Sequence, residues 1–258
     1  MAISDGGLVF LKVVDTSSEI KSKHYIVDRM AGVIQEVGEE NVIQVITDNA
    51  PVCKAAGMII ESSCPKVFWT PCVVHTLNLA SKNICAAKNT ERNEVVWTEC
   101  NWITQIADDV SFVRNFIMNR SMRNVIFKQF SSFKLLDVSD TRFASVIVML
   151  RRFKFLKRSL QSVVINEEWN SYREDDMDKA QATKEFILND IWWDKIAYII
   201  DFTEPIYNMV RVCDTDESTL HLVYEMWDSM IEKVKASIYR HDREKVIPMS
   251  PHFIWLTL

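Results

Sequence analysis

Residues 41–50 read Asn41-Val42-Ile43-Gln44-Val45-Ile46-Thr47-Asp48-Asn49-Ala50. From Val42 to Ile46 every residue but Gln44 is β-branched and apolar, the pattern of a strand buried on both faces. The run stops at Thr47-Asp48-Asn49, where Asp and Asn favour a turn. Pro51 follows, at the first turn where a helix accepts proline. These ten residues predict a parallel-sheet strand running into a helix over about 51–63. Upstream, Leu8-Val9-Phe10-Leu11-Lys12-Val13-Val14 is a second strand-like run. It ends at Asp15-Thr16-Ser17-Ser18, residues able to cap a helix. Between the two runs, Ile20, Tyr25, Ile26, Met30, Val33, Ile34 and Val37 recur at helical spacing, and Gly38 stands where a helix C-terminal glycine belongs. Downstream, Lys66-Val67-Phe68-Trp69 predicts a short third strand, and Pro71 opens a helix to about Ala87.

Strand and helix thus alternate three times, which predicts an α/β layer with a parallel sheet. Beyond residue 88 the pattern changes. Val95–Arg120, Arg142–Val164, Thr183–Val212 and Thr219–Arg240 carry helical periodicity, and no segment reads as a strand. The acidic stretch from Glu167 to Lys184 is expected to be a surface loop. The expectation is α/β over 1–88 followed by all-α over 89–258.

Composition narrows the function. The 258 residues include five glycines, where average usage near ~7% would give roughly 18. That scarcity excludes a glycine-rich phosphate cradle and agrees with a mostly helical chain. The formal net charge is −5, so a dedicated basic nucleic-acid module is excluded and any DNA contact must come from a local patch. Six cysteines at irregular spacing do not form a disulfide framework. Residues 3–14 do not read as a signal peptide, and no stretch nears ~20 apolar residues. An intracellular protein without membrane partner or small-molecule substrate is expected.

Three sets of residues are candidates for chemistry. Asp48 follows the end of a strand, the end at which open α/β sheets bind ligands. Its carboxylate suits Mg²⁺ or Mn²⁺, or it caps the helix after it. Asp15 ends the other run and reads more readily as a cap or turn. Cys72 and His75 lie three apart on one helix face, with Cys64 and Cys85 near in sequence. Structural zinc needs four ligands, usually as two close pairs, and one pair is present, so a packed Cys beside a hydrogen-bonded His is favoured. Arg151, Arg152, Lys154, Lys157 and Arg158 form the single basic cluster, spread around its helix, where it can touch a phosphate backbone or be a solvated face. The Trp192-Trp193 pair and Trp227 read as core, as do Cys100 and Cys213.

The order of these motifs resembles one family. Leu8–Asp15, then Asn41–Ala50, then Phe68-Trp69-Thr70-Pro71-Cys72-Val73-Val74-His75-Thr76-Leu77-Asn78-Leu79 is similar to plant hAT-type transposases, in particular to a transposase-like domain of unknown function. Asp137-Val138-Ser139-Asp140-Thr141-Arg142-Phe143 resembles a later segment of that family, and Glu167-Glu168-Trp169 does so more weakly. The resemblance implies a ribonuclease-H-like core interrupted by a large helical insertion, a nuclear location, and cut-and-paste transposition by two metal ions on an Asp, Asp, Glu triad. Asp48 matches the second Asp of that triad, and Cys72 and His75 match a Cys-x-x-His motif near the active site.

Departures from the pattern set the expected function. The first Asp of the family lies in a strand upstream of the Phe10-Leu11-Lys12 run, and Asp5-Gly6-Gly7 does not replace it. The final Glu lies beyond the insertion, past His252–Leu258. In the family's strand order Asp15 and Asp48 end strands three spacings apart, about 14 Å at ~4.8 Å each. That is too far to share ions ~3.5–4 Å apart. The expectation is a transposase-derived chain cut at both ends, with Asp48 vestigial and no cofactor, where intact relatives use Mg²⁺ or Mn²⁺. Its partners would be DNA or a related transposase chain. The alternatives are a domesticated nuclear interaction or regulatory protein acting through its helical region, and a metal-dependent transposase or nuclease. Three strands are expected to remain, with 8–14 pairing directly on 42–47.

Overall fold

The computed structural model describes residues 1–4, 6–138, 144–173, 176–215 and 219–243. They fall into two compact units, Met1–Leu79 with Met209–Met226, and Ala80–Asn208 with residues from Trp227 onward.

The first unit opens with an antiparallel hairpin, β1 (Ala2–Ser4) and β2 (Gly7–Val9), in the register Ala2↔Val9 and Ser4↔Gly7. Gly7 adopts φ +106°, a conformation open to glycine at no steric cost. The chain leaves regular structure after Val9, and Ser22 caps α1 (Lys23–Val37) by accepting from the Tyr25 N–H. Gly38, at φ +92°, donates its N–H to the Ile34 carbonyl and ends the helix. Then come β3 (Gln44–Thr47), α2 (Pro51–Ser63), β4 (Phe68–Pro71) and α3 (Val73–Cys85). β3 and β4 run parallel, from Gln44↔Phe68 to Thr47↔Pro71. α1 and α2 pack together over a small core of Ile34, Ile60 and Val67, joined by Val27, Met30, Val42 and Val45.

The predicted three-stranded parallel sheet does not form. Among the described residues β2 pairs with β1 and β3 with β4, in two separate two-stranded sheets. The strand predicted over 8–14 stops at Val9. A hairpin partner a few residues away closes at the least loop entropy, whereas pairing 8–14 with 42–47 requires a long crossover. Nor is the Val42–Ile46 run buried on both faces: Ile43, just before β3, is 73% exposed and Ile46 46%. A strand with one neighbour and helices packed against one side has no means of covering the rest.

The second unit is helical among its described residues. α4 (Glu94–Met118) and α5 (Ser121–Phe130) are followed by α6 (Ser145–Phe155) and α7 (Lys157–Ile165). α8 (Glu167–Ser171) and α9 (Met177–Leu188) come next. α10 (Asp190–Cys213) and α11 (Val223–Arg243) complete the order. The four predicted helical stretches all contain helices. The loop predicted over Glu167–Lys184 does not exist as such, because that stretch carries α8 and most of α9. Asn166 and Asp176 cap them, accepting from the Glu168 and Lys179 amides. Acidic residues gathered at helix N-termini are favoured by the helix dipole. Trp192 and Trp193 are buried, as expected, and so is Cys100, while Cys213 and Trp227 are half-buried. The 139–143 part of the Asp137–Phe143 motif, Asp5, and His252–Leu258 lie outside the described residues.

The least expected side chain is Arg123, fully buried in α5. Its guanidinium donates to the carbonyls of Trp169, at 2.7 Å, and Tyr172, at 3.2 Å. It also lies 4.2 Å from the Trp169 ring centroid and 5.1 Å from that of Tyr172. A buried cation is tolerated when its donors are satisfied. Arg123→Ala removes charge-assisted hydrogen bonds and leaves a cavity, so urea denaturation of the variant should show a loss of about 3 kcal/mol.

Candidate functional site at the end of β3

The parallel ladder sets the site. At its end the Cys72 amide donates to the Thr47 carbonyl, at 2.7 Å, so the residues after β3 and after β4 emerge side by side. Asp48 turns the chain into α2. Its Oδ1 accepts from the Ala50 amide, at 3.1 Å, an Asx turn. The Cys53 thiol, in the first turn of α2, also donates to this carboxylate. Both bonds, with a smaller contribution from the charge of His75, hold Asp48 below its ordinary pKa. Burial and the Asp48 carboxylate push the Cys53 thiol up to about 11.

The second wall comes from α3. Cys72 accepts the first intrahelical bond, from Thr76 N. It is therefore the capping residue of α3, three positions before His75. His75 lies in the first turn. Asn49 Nδ2 donates to Thr76 Oγ1 at 2.8 Å, and that hydroxyl donates to the Cys72 carbonyl at 2.9 Å. Trp69 supports the floor: its indole N–H reaches Thr47 Oγ1, at 2.9 Å, and its amide reaches Glu61 Oε1, also at 2.9 Å. The Trp69 ring lies against Gly57 of α2, where any Cβ would overlap it. Gly57→Ala should therefore push Trp69 away and break the Thr47 bond. The checks are a red-shifted tryptophan emission and a thermal midpoint lowered by several degrees.

Sequence reasoning found Asp48, Cys72 and His75 and missed Cys53 and Asn49. The signal for Cys53 was its place three positions into α2, where side chains reach back to the residues before the helix. Asn49 had no comparable signal, because its bond to Thr76 depends on strand pairing. Cys213 is also half-buried, its thiol raised first by burial and more weakly by Cys72. The zinc alternative finds no support in the placement of the other cysteines. Cys64 packs on the Ile34, Ile60 and Val67 core, and Cys85 is buried, its thiol pushed to about 12 by burial. Asp15 is exposed and accepts from the Ser17 amide at 2.9 Å. It is the local turn favoured from the sequence, although no strand ends there.

A two-metal centre does not fit these residues. Among the described residues no group of three His, Cys, Asp or Glu side chains is placed to hold a metal ion. The groups that lower the Asp48 pKa are an amide, a thiol and an imidazole. The pair of Cys53 and Asp48 is a proton-holding contact. A raised thiol pKa keeps the folded state protonated through the range where a free thiol ionises, so its stabilisation is present below about 8.5 and lost as pH rises toward 11. Iodoacetamide should label Cys53 slowly at about pH 9, where an ordinary thiol is mostly thiolate. Asp48→Asn should speed labelling several-fold, read by peptide mass spectrometry.

The basic cluster is divided between two helices. Arg151 and Arg152 lie in α6, together with exposed Lys154. Lys157 opens α7, pairs with Asp190 at 3.3 Å and lies 5.4 Å from the Trp193 ring centroid. Arg158 is exposed in α7. No described helix is long and apolar enough to cross a membrane.

A family model described as a domain of unknown function, DUF659, matches residues 1–113. This domain is found in hAT-type transposase-like proteins. The match covers the hairpin, the β3–β4 ladder, the Asp48 site and the start of the helical region. No curated protein and no solved structure matches the chain.

Proposed function

We propose that this chain derives from a hAT-type transposase and acts by binding DNA, without cleaving it. The isolation of Asp48 carries the reading. Two-metal cleavage needs several carboxylates around ions ~3.5–4 Å apart, and Asp48 has as neighbours the Ala50 amide, the Cys53 thiol and His75. One exposed carboxylate already engaged by an amide and a thiol is a poor Mg²⁺ or Mn²⁺ ligand. The DUF659 match over residues 1–113 supports a transposase-like origin, and with it a nuclear location. Under this reading the ladder, Trp69 and Gly57 hold the fold, and the carboxylate serves as a turn.

DNA affinity would come from the helical residues, since the chain as a whole is acidic. A related transposase chain is the second partner class under the same reading. The expected outcome is salt-sensitive binding to duplex DNA in a gel shift, weakening about tenfold or more between 50 and 200 mM salt. Nicking in the presence of Mn²⁺ should be undetectable. Nicking abolished by Asp48→Ala would restore the enzyme reading.

A further inference from the structure

α6 turns one stripe outward: Val148, Arg151, Arg152 and Phe155 are spaced three and four apart and share a face. Phe133, from the chain after α5, and Tyr207, from α10, complete a solvent-open cleft of about 330 Å³ along that stripe. Its content is unusual for an acidic chain. Phe133 and Phe155 meet edge to face at 5.4 Å, yet are 51% and 67% exposed. The Arg152 guanidinium lies 5.2 Å from the Phe133 ring centroid, and that of Arg151 lies 4.7 Å from Tyr207. A guanidinium over a ring spends none of its N–H donors there. Arg151 directs one toward Glu204, at 3.4 Å, and among the described residues Arg152 has no ion-pair partner.

We propose that this cleft binds an unpaired nucleotide of single-stranded nucleic acid, with the base stacked on Phe155 and its phosphate held by Arg152. The proposal rests on the nucleic-acid reading above and specifies the form recognised. Three observations carry it. Two large rings are left in water, where a soluble domain gains by covering them. A cation with no ion-pair partner among the described residues stands beside them. The opening has the scale of one nucleotide and is not enclosed, so a polymer can pass through it. Aromatic faces interleaved with arginine are the means by which proteins hold single strands whatever their sequence. A duplex offers its phosphates but keeps its bases stacked, and would leave both rings uncovered.

Lys154 and Arg158 are exposed on these helices but do not line the cleft, which provides the control. The test measures fluorescence anisotropy of labelled oligothymidylate, of the same strand with abasic sites, and of a duplex of equal length. The full chain is compared with Phe155→Ala, Phe155→Trp, Arg152→Gln and Arg158→Gln. The expected order is oligothymidylate about tenfold tighter than either other probe, as one stacked base provides. Phe155→Ala should remove that preference and Phe155→Trp keep it. Arg152→Gln should weaken the single strand and flatten its salt dependence, whereas Arg158→Gln should leave the ratio of affinities among the three probes unchanged. Because Phe155 and Arg158 are exposed and Arg152 is half-buried, the thermal midpoints of all four variants should stay within a few degrees of that of the full chain. Equal binding of all three probes, unaffected by Phe155→Ala, overturns the cleft and leaves the DNA reading standing. Absence of binding to any probe overturns both. Binding of an acidic, phenylalanine-bearing peptide that Phe155→Ala abolishes, without oligothymidylate binding, makes the cleft a peptide site and overturns the proposal.

Discussion

At the end of the β3–β4 ladder, Cys72 N donates to Thr47 O, and the first unit is arranged around that bond. Because the strands are parallel, both chains leave the sheet in the same direction. Asp48 and Asn49 therefore emerge beside Cys72, His75 and Thr76, although 24 residues or more separate Asp48 from the last three in sequence. Three contacts of the site presuppose this alignment: Asn49 on Thr76, Trp69 on Thr47, and the Trp69 ring on Gly57. Slipping the register by one residue would turn the Trp69 indole to the opposite face and leave nothing against Gly57. Glu61 adds a further restraint, since it occupies the Trp69 amide on the side of β4 away from β3.

How much of this could be read beforehand depended on whether the cause was local. The helices at 23–37 and 51–63 follow from apolar spacing and Pro51, which act within a few residues, although the cap of the first lies at Ser22 and not in the Asp15–Ser18 cluster expected to supply it. Strand existence was legible for the same reason, but pairing was not. Val13 and Val14 have the composition of a strand and end up exposed, because what makes a strand is a partner and the partner was taken by Ala2–Ser4. The acidic run after Glu167 misled in another way. Charge was read as solvation, when Asn166 and Asp176 were helix caps and the acids beside them lay in first turns. At the site, Asp48 could be found from its place after a strand. Cys53 could have been found from helix position, and Asn49 and Gly57 owe their roles to tertiary approach alone.

In the helical unit the basic residues divide by what surrounds them. Lys157 is held by Asp190 and Trp193, whereas Arg151 and Arg152 stand over rings that water still reaches. A count of positive charges along the sequence cannot separate these cases, since helical phase and the break between Phe155 and Lys157 decide which charge meets which neighbour. The two arginines on α6 and the buried Arg123 on α5 also show one side chain in two settings. On α6 its donors remain largely available to an outside anion. On α5 they are consumed by the carbonyls of Trp169 and Tyr172.

That buried guanidinium has a kinetic meaning. It can leave water only when the carbonyls of Trp169, in α8, and Tyr172, just after it, are in place to receive it, 46 and 49 residues further along. Closing that span is an ordering step whose cost is met before its contacts form. Local opening of the short α8 would in turn expose a charge in α5, so the two segments cannot open independently. α5 and α8 are therefore expected to open together, their amide hydrogens exchanging with solvent through a shared opening.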